Sequence, residues 1–113
     1  MRKDELISGF LLELRRGMVV LCVLAKLRRP AYGYSLVAAL AASGVAVEAN
    51  TLYPLLRRLE TQGLLTSAWN TDAAKPRKYY ATTEFGVEVL EELKMHWQSA
   101  TKSVNNILED ETI

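Results

Sequence analysis

Apolar residues recur at helical spacing from the start of the chain. Leu6, Ile7, Phe10, Leu11 and Leu14 form one stripe, which predicts an amphipathic helix over about Glu5–Leu14. Arg15-Arg16-Gly17 interrupts that pattern. A second helix is expected from about Met18 to Leu27, apolar almost all round and therefore central to the core. Pro30 and Gly33 bracket the entry to a third helix, about Ser35 to Ala42, which packs through Leu36, Val37 and Leu40 and ends at Ser43-Gly44. After a short connection, Val45–Ala49, a fourth helix is expected over about Thr51–Gln62. Its Leu52, Leu55, Leu56 and Leu59 follow the i, i+3, i+4, i+7 rule. Asn50 suits its N-cap and Gly63 its C-terminal stop. Pro54 is tolerable if it lies in the first turn, where backbone N–H groups lack partners anyway.

Beyond Gly63 the pattern becomes that of a hairpin. Leu64–Trp69 and Arg77–Thr82 read as strands joined by a turn over residues 70–76. Tyr79 and Tyr80 point to opposite faces of the return strand, with Tyr80 expected inward and Tyr79 outward. Thr83 is the expected N-cap of a last helix reaching about Leu108, and Glu84 favours its start. Such a helix is on the order of 40 Å long, more than a domain of this size needs for itself. Leu90, Leu93, Trp97, Ala100, Val104 and Ile107 are spaced 3-4-3-4-3 along it, an a/d seam suited to pairing with a second copy. The fold class is mainly α with a small β-hairpin. A winged helix-turn-helix over 1–82 is followed by a dimerisation helix over 83–113.

Composition narrows the function. The 113 residues are half apolar, enough for one compact domain without staples. Acids at positions 4, 5 and 13 spoil a secretory signal. The longest apolar run, Gly17–Ala25, is far short of the roughly 20 residues of a membrane helix. No membrane partner is expected, and the cytoplasm is the expected location. Cys22 is the lone cysteine, set in an apolar run as an inert packed thiol. His96 is the lone histidine, so no His/Cys zinc site can form within one chain. There is no Gly-rich phosphate loop. The acid pairs Asp4/Glu5 and Glu91/Glu92 are helix neighbours that do not face each other. Ser35 and Ser43 lack a nearby histidine base. Neither an enzyme nor a cofactor site is indicated. Net charge is only +1, but residues 1–82 carry twelve Lys/Arg against six Asp/Glu, while residues 83–113 carry two against seven. A basic body with an acidic tail suits a body that meets an anion.

The anion-facing residues follow from the wheel. At about 100° per residue, Asn50, Tyr53, Pro54, Arg57 and Thr61 fall opposite the leucines of the fourth helix. That mixture can reach base edges and phosphates in a major groove. Lys75, Arg77 and Lys78 crowd the turn, where cations can straddle phosphates or enter a minor groove, with Tyr79 lining the same side.

Several segments, in order, resemble PadR-like regulators. Arg16-Gly17 resembles the step before their core helix. Pro30-Ala31-Tyr32-Gly33-Tyr34-Ser35-Leu36 resembles their turn into the third helix. Thr51-Leu52-Tyr53-Pro54-Leu55-Leu56-Arg57-Arg58-Leu59-Glu60 with Gly63-Leu64-Leu65 resembles their recognition helix. Lys75-Pro76-Arg77-Lys78-Tyr79-Tyr80 with Thr83-Glu84-Phe85-Gly86 resembles their wing and the start of their dimer helix. The short acidic tail is similar to the compact branch of the family. Ala81 and Thr82 depart from it, where a basic and a larger apolar residue are usual. The resemblance implies a homodimeric repressor on a pseudo-palindromic double-stranded operator, with Tyr34 and Thr51 joining the DNA-binding set. It also implies a planar aromatic ligand between the two copies at Trp97, walled by Ile7, Phe10 and Leu14, with Met95 and His96 nearby. Two other uses of the fold compete with this one: a module that binds protein, and a dimeric small-molecule-binding protein that has lost DNA.

Overall fold

Two of the expected helices are one. In the computed structural model, which describes residues 2–72 and 74–110, α1 runs unbroken over Lys3–Lys26. Arg15 and Arg16 are good helix formers, and Gly17 costs only about 1 kcal/mol against alanine in a helix. Burial of Val19, Val23 and Leu24 anchors the later turns, and the helix propagates back through the glycine. The remaining elements are β1 (Ala31–Tyr32), α2 (Gly33–Ala42), α3 (Ala49–Thr61), β2 (Leu65–Asn70), β3 (Arg77–Thr82) and α4 (Glu84–Glu109). Ala73 of the turn and positions 111–113 of the expected 83–113 segment lie outside the described residues.

The core is leucine-rich and drawn from every helix. Leu24, Leu27, Leu36, Leu40, Leu52, Leu56 and Leu59 are fully buried with Val23, and Leu64, Leu65, Tyr80 and Leu90 close the cluster. Burying each such leucine contributes about 1.5–3 kcal/mol. Tyr80 points inward as expected. Cys22 packs at the margin of this core, half-buried.

The sheet has three strands rather than two. Its order is β1-β3-β2, all antiparallel, with Ala31 opposite Tyr80 and Tyr32 opposite Tyr79. A two-residue strand carries no alternation to read, which is why the hairpin alone was expected. β3 begins and ends where its pattern placed it.

Two consecutive threonines join the elements. The Thr82 N–H donates to Leu27 O at 2.8 Å, and its hydroxyl donates to Leu24 O at 2.8 Å. Carbonyls at the end of α1 that have no partner in their own helix are thereby satisfied. The Thr83 N–H donates to Leu64 O at 3.0 Å, and its hydroxyl donates to Gly63 O at 2.7 Å. That hydroxyl oxygen also accepts from the Gly86 N–H at 2.9 Å, the expected N-cap of α4. The packing leaves no room at Gly86: a Cβ there would lie 2.2 Å from Leu64 O. Gly63 itself has φ of 81°, the left-handed stop that ends α3.

The helix α4 leaves the body behind. Leu90 is buried, at 4% exposure, whereas all residues from Glu91 to Asp110 are exposed. The molecule measures 61 × 35 × 24 Å as a result. The first half of α1 is equally uncovered, with Leu6, Ile7, Phe10, Leu11, Leu12 and Leu14 in solvent. Two glycines with opposite surroundings test this account. Nothing lies within 4 Å of a Cβ built at Gly17. Gly17→Ala should therefore raise the melting temperature through helix propensity, by up to about 1 kcal/mol of stability. Gly86→Ala must push backbone aside and should lower stability by about 1–3 kcal/mol. Thermal denaturation followed by circular dichroism checks both signs.

Candidate nucleic-acid interface

The helix α3 presents two unlike faces because its leucines are in phase. Leu52, Leu56 and Leu59 are buried, while Asn50, Thr51, Tyr53, Pro54, Arg57 and Thr61 are exposed. Its start differs from expectation. The N-cap is Glu48, whose carbonyl accepts from Thr51 N–H at 3.0 Å and Leu52 N–H at 2.9 Å. Asn50 therefore lies inside the first turn, with its amide at the surface rather than spent on a cap. Pro54 consequently falls beyond the first turn, as the sixth helical residue. It has no N–H for the Asn50 carbonyl, which loses its helical partner on the exposed side. The Thr61 hydroxyl donates to Arg57 O at 3.0 Å, so only its lone pairs face outward.

Tyr53 is seated on a glycine. A Cβ at Gly33 would come within 2.5 Å of the Tyr53 ring. Gly33 is thus a contact residue between α2 and α3, although its pattern marked only a helix boundary. Beside it Tyr34, on the first turn of α2, is 81% exposed.

The wing divides its cations between two faces. Alternation along β3 puts Arg77 and Tyr79 on one side and Lys78 and Tyr80 on the other. Lys78 faces α3, its Nζ 3.8 Å from Glu60 Oε1 and 5.4 Å from the Tyr80 ring centre. Glu60 also accepts from the Ser67 hydroxyl. Lys78, one of the three cations expected at the wing, therefore does not share a face with Arg77. Glu60 and Ser67 had no pattern to mark them.

The opposite face carries an ordered aromatic pair. Tyr32 of β1 and Tyr79 of β3 have ring centres 4.1 Å apart at 42°. The Tyr79 hydroxyl donates to that of Tyr32. The Arg77 guanidinium lies 4.8 Å over the Tyr32 ring. Accepting from Tyr79, and secondarily from Arg77, holds the Tyr32 phenol below its ordinary range. Donation to Tyr32 pushes the Tyr79 phenol up. Arg77 and Lys75 are exposed. The turn between the strands opens with the Asp72 N–H donating to Asn70 Oδ1 at 3.0 Å.

The pairing and ligand residues lie apart from this face, on α1 and α4. Leu93, Trp97, Ala100, Val104 and Ile107 form an exposed seam, whereas Leu90 belongs to the chain's own core and not to that seam. Within one chain the hollow beside Trp97 is lined by Gln98, Thr101, Lys102, Asn105, Asn106 and Glu109, an open and polar surface. Ile7, Phe10 and Leu14 are exposed on α1 and do not line it.

Three helices, a polar reading face on the third and a basic wing define a winged helix-turn-helix DNA-binding protein. Residues 20–92 match the transcriptional regulator PadR-like family. A PadR family transcriptional regulator from Eggerthella lenta is 54% identical with a TM-score of 0.87, the match covering 94% of this chain and 95% of that one. A PadR-like transcriptional regulator from Bacillus cereus is 32% identical with a TM-score of 0.79, covering 88% and 99%. A PadR-like transcription factor from Bacteroides fragilis is 35% identical with a TM-score of 0.72, covering 88% and 98%. No curated protein matches at the same stringency. The chain belongs to the PadR-like family of transcriptional regulators, and its function is DNA-binding control of transcription.

The two faces of the wing give separable outcomes. Arg57→Ala should weaken binding to the specific site by about tenfold, in the range of one lost base contact. Lys75→Ala and Arg77→Ala should weaken binding to any sequence and each reduce the salt slope by about 1. Lys78→Ala should leave that slope unchanged. Fluorescence anisotropy titrations across a salt series read all four, and a Lys78→Ala slope equal to that of Arg77→Ala would overturn the division.

Proposed function

We propose that this chain is a cytoplasmic, dimeric repressor in which each copy reads one half of a two-fold operator. Residues 1–82 act as the DNA-binding unit and residues 83–113 as the pairing helix. The observation that carries this reading is the exposed apolar surface of α1 and α4. Leu93, Trp97, Val104 and Ile107 on α4, and Ile7, Phe10 and Leu14 on α1, stand in solvent on a single chain. A surface of this extent calls for a protein partner, and a heptad seam suits a second copy of itself. A two-fold axis through α4 would hold two α3 helices for successive major grooves, roughly 34 Å apart. Binding then represses by occupying the promoter.

The same axis brings two Trp97 side chains together. Large indoles fit poorly into a tight two-stranded seam, and a slot between them suits a planar aromatic compound, with Ile7, Phe10 and Leu14 as walls. A ligand that favours one spacing of the reading heads would release DNA through that preference.

Sedimentation equilibrium should give a dimer at micromolar concentration, and DNA from upstream of its own gene should shift in a gel as one complex with two chains. A monomer in sedimentation contradicts the reading. Repeating the titration with planar aromatic compounds in Trp69→Phe, where Trp97 is the remaining indole, should quench fluorescence and loosen the complex. No quenching and no change in affinity removes the ligand from the proposal.

A further inference from the structure

The strand β1 is two residues long, and its main structural product is one placement: Tyr32 laid beside Tyr79 of the wing. We propose that Tyr32 is a positioning residue for DNA binding, holding the Arg77 guanidinium in place beside the turn of the wing. Three contacts converge on this ring. The Tyr79 ring packs against it, tilted, with centres 4.1 Å apart, its hydroxyl donates to that of Tyr32, and Arg77 sits over the Tyr32 ring at 4.8 Å. Arg77 and Tyr79 are two residues apart on a strand, so both reach the same face as Tyr32.

The arrangement orders Arg77 without neutralising it. Among the described residues the ion pair of the wing is Lys78 with Glu60, and Arg77 has no carboxylate partner. Its charge is therefore available to a phosphate. A guanidinium stacks on an aromatic face while its edge N–H groups stay available for hydrogen bonds. An exposed arginine otherwise loses rotamer freedom when it binds, and contact with Tyr32 removes part of that freedom beforehand. The next residue extends the effect. Gly33 seats Tyr53 of α3, so the dipeptide Tyr32-Gly33 touches the wing cation and the reading helix at once. That dipeptide joins the Glu60 contacts with Lys78 and Ser67 in tying the wing to α3.

This inference rests on the reading that the wing meets phosphate, and the test separates the two. Wild type, Arg77→Ala, Tyr32→Leu, Tyr32→Phe and the double variant Tyr32→Leu/Arg77→Ala are titrated with duplex DNA by anisotropy over a salt series. Tyr32→Leu is expected to weaken binding about as much as Arg77→Ala, by about tenfold, and to lower the salt slope by about 1. The double variant should be no weaker than Arg77→Ala alone, because Tyr32 acts through Arg77. Tyr32→Phe keeps the ring and should retain the wild-type slope. Losses that multiply in the double variant, a wild-type slope in Tyr32→Leu, or a slope in Tyr32→Phe as low as in Arg77→Ala overturn the inference. Wild-type affinity and slope in Arg77→Ala overturn the wing reading itself. Should Tyr32→Leu fail to fold, the wild-type protein still decides. The Arg77 Hδ protons should show a high-field ring-current shift in its NMR spectrum, and shifts at unstructured arginine values overturn the contact.

Discussion

Four element ends meet at Thr82 and Thr83, and the relation between the halves of the molecule depends on that meeting. A helix end leaves backbone groups without partners, and burying them unpaired is costly. Here the last carbonyls of α1, the carbonyls that follow α3, and an N–H at the start of α4 are all satisfied by two adjacent threonines. The direction of α4 is thereby set relative to α3 and the wing. Gly86 allows the closest approach in this joint, because any side chain there would strike Leu64 O.

One helix consequently serves two environments. The first turns of α4 close the core through Leu90, and the residues of the turns beyond it, through Asp110, are exposed. The charge segregation agrees with this division: twelve of the fourteen basic residues lie in positions 1–82, whereas positions 83–113 carry seven acids against two lysines. Field lines from DNA then favour approach by α3 and the wing over approach by the tail.

Much of this was legible in the residues. The leucines of α3, the stop at Gly63, the cap at Thr83 and the bounds of β3 are each local, so a local pattern reveals them. The departures share another cause. The break expected at Arg15-Arg16-Gly17 is absent because burial downstream outweighs one glycine. Asn50 was expected to cap α3, yet the helix begins one residue before it, after Glu48, and Pro54 moves out of the first turn with that shift. Strand β1 and the Tyr32–Tyr79 pair join residues 47 positions apart, which no window of sequence spans. Lys78 and Arg77 are neighbours in sequence, but strand alternation and the Glu60 partner turn them to opposite faces. The contact partners Gly33, Glu60 and Ser67 have meaning only once α2, α3 and the sheet are assembled.

The central claim is that α3 and the wing form one reading unit per chain and that α4 sets two such units at a fixed spacing. Hydroxyl-radical footprinting of the protein on DNA upstream of its own gene tests this most directly. The account predicts two protected stretches related by two-fold symmetry, their centres about one helical turn apart on one side of the duplex. A single unsymmetrical protected stretch, or protection of two sites whose spacing varies freely from one DNA to another, would contradict it.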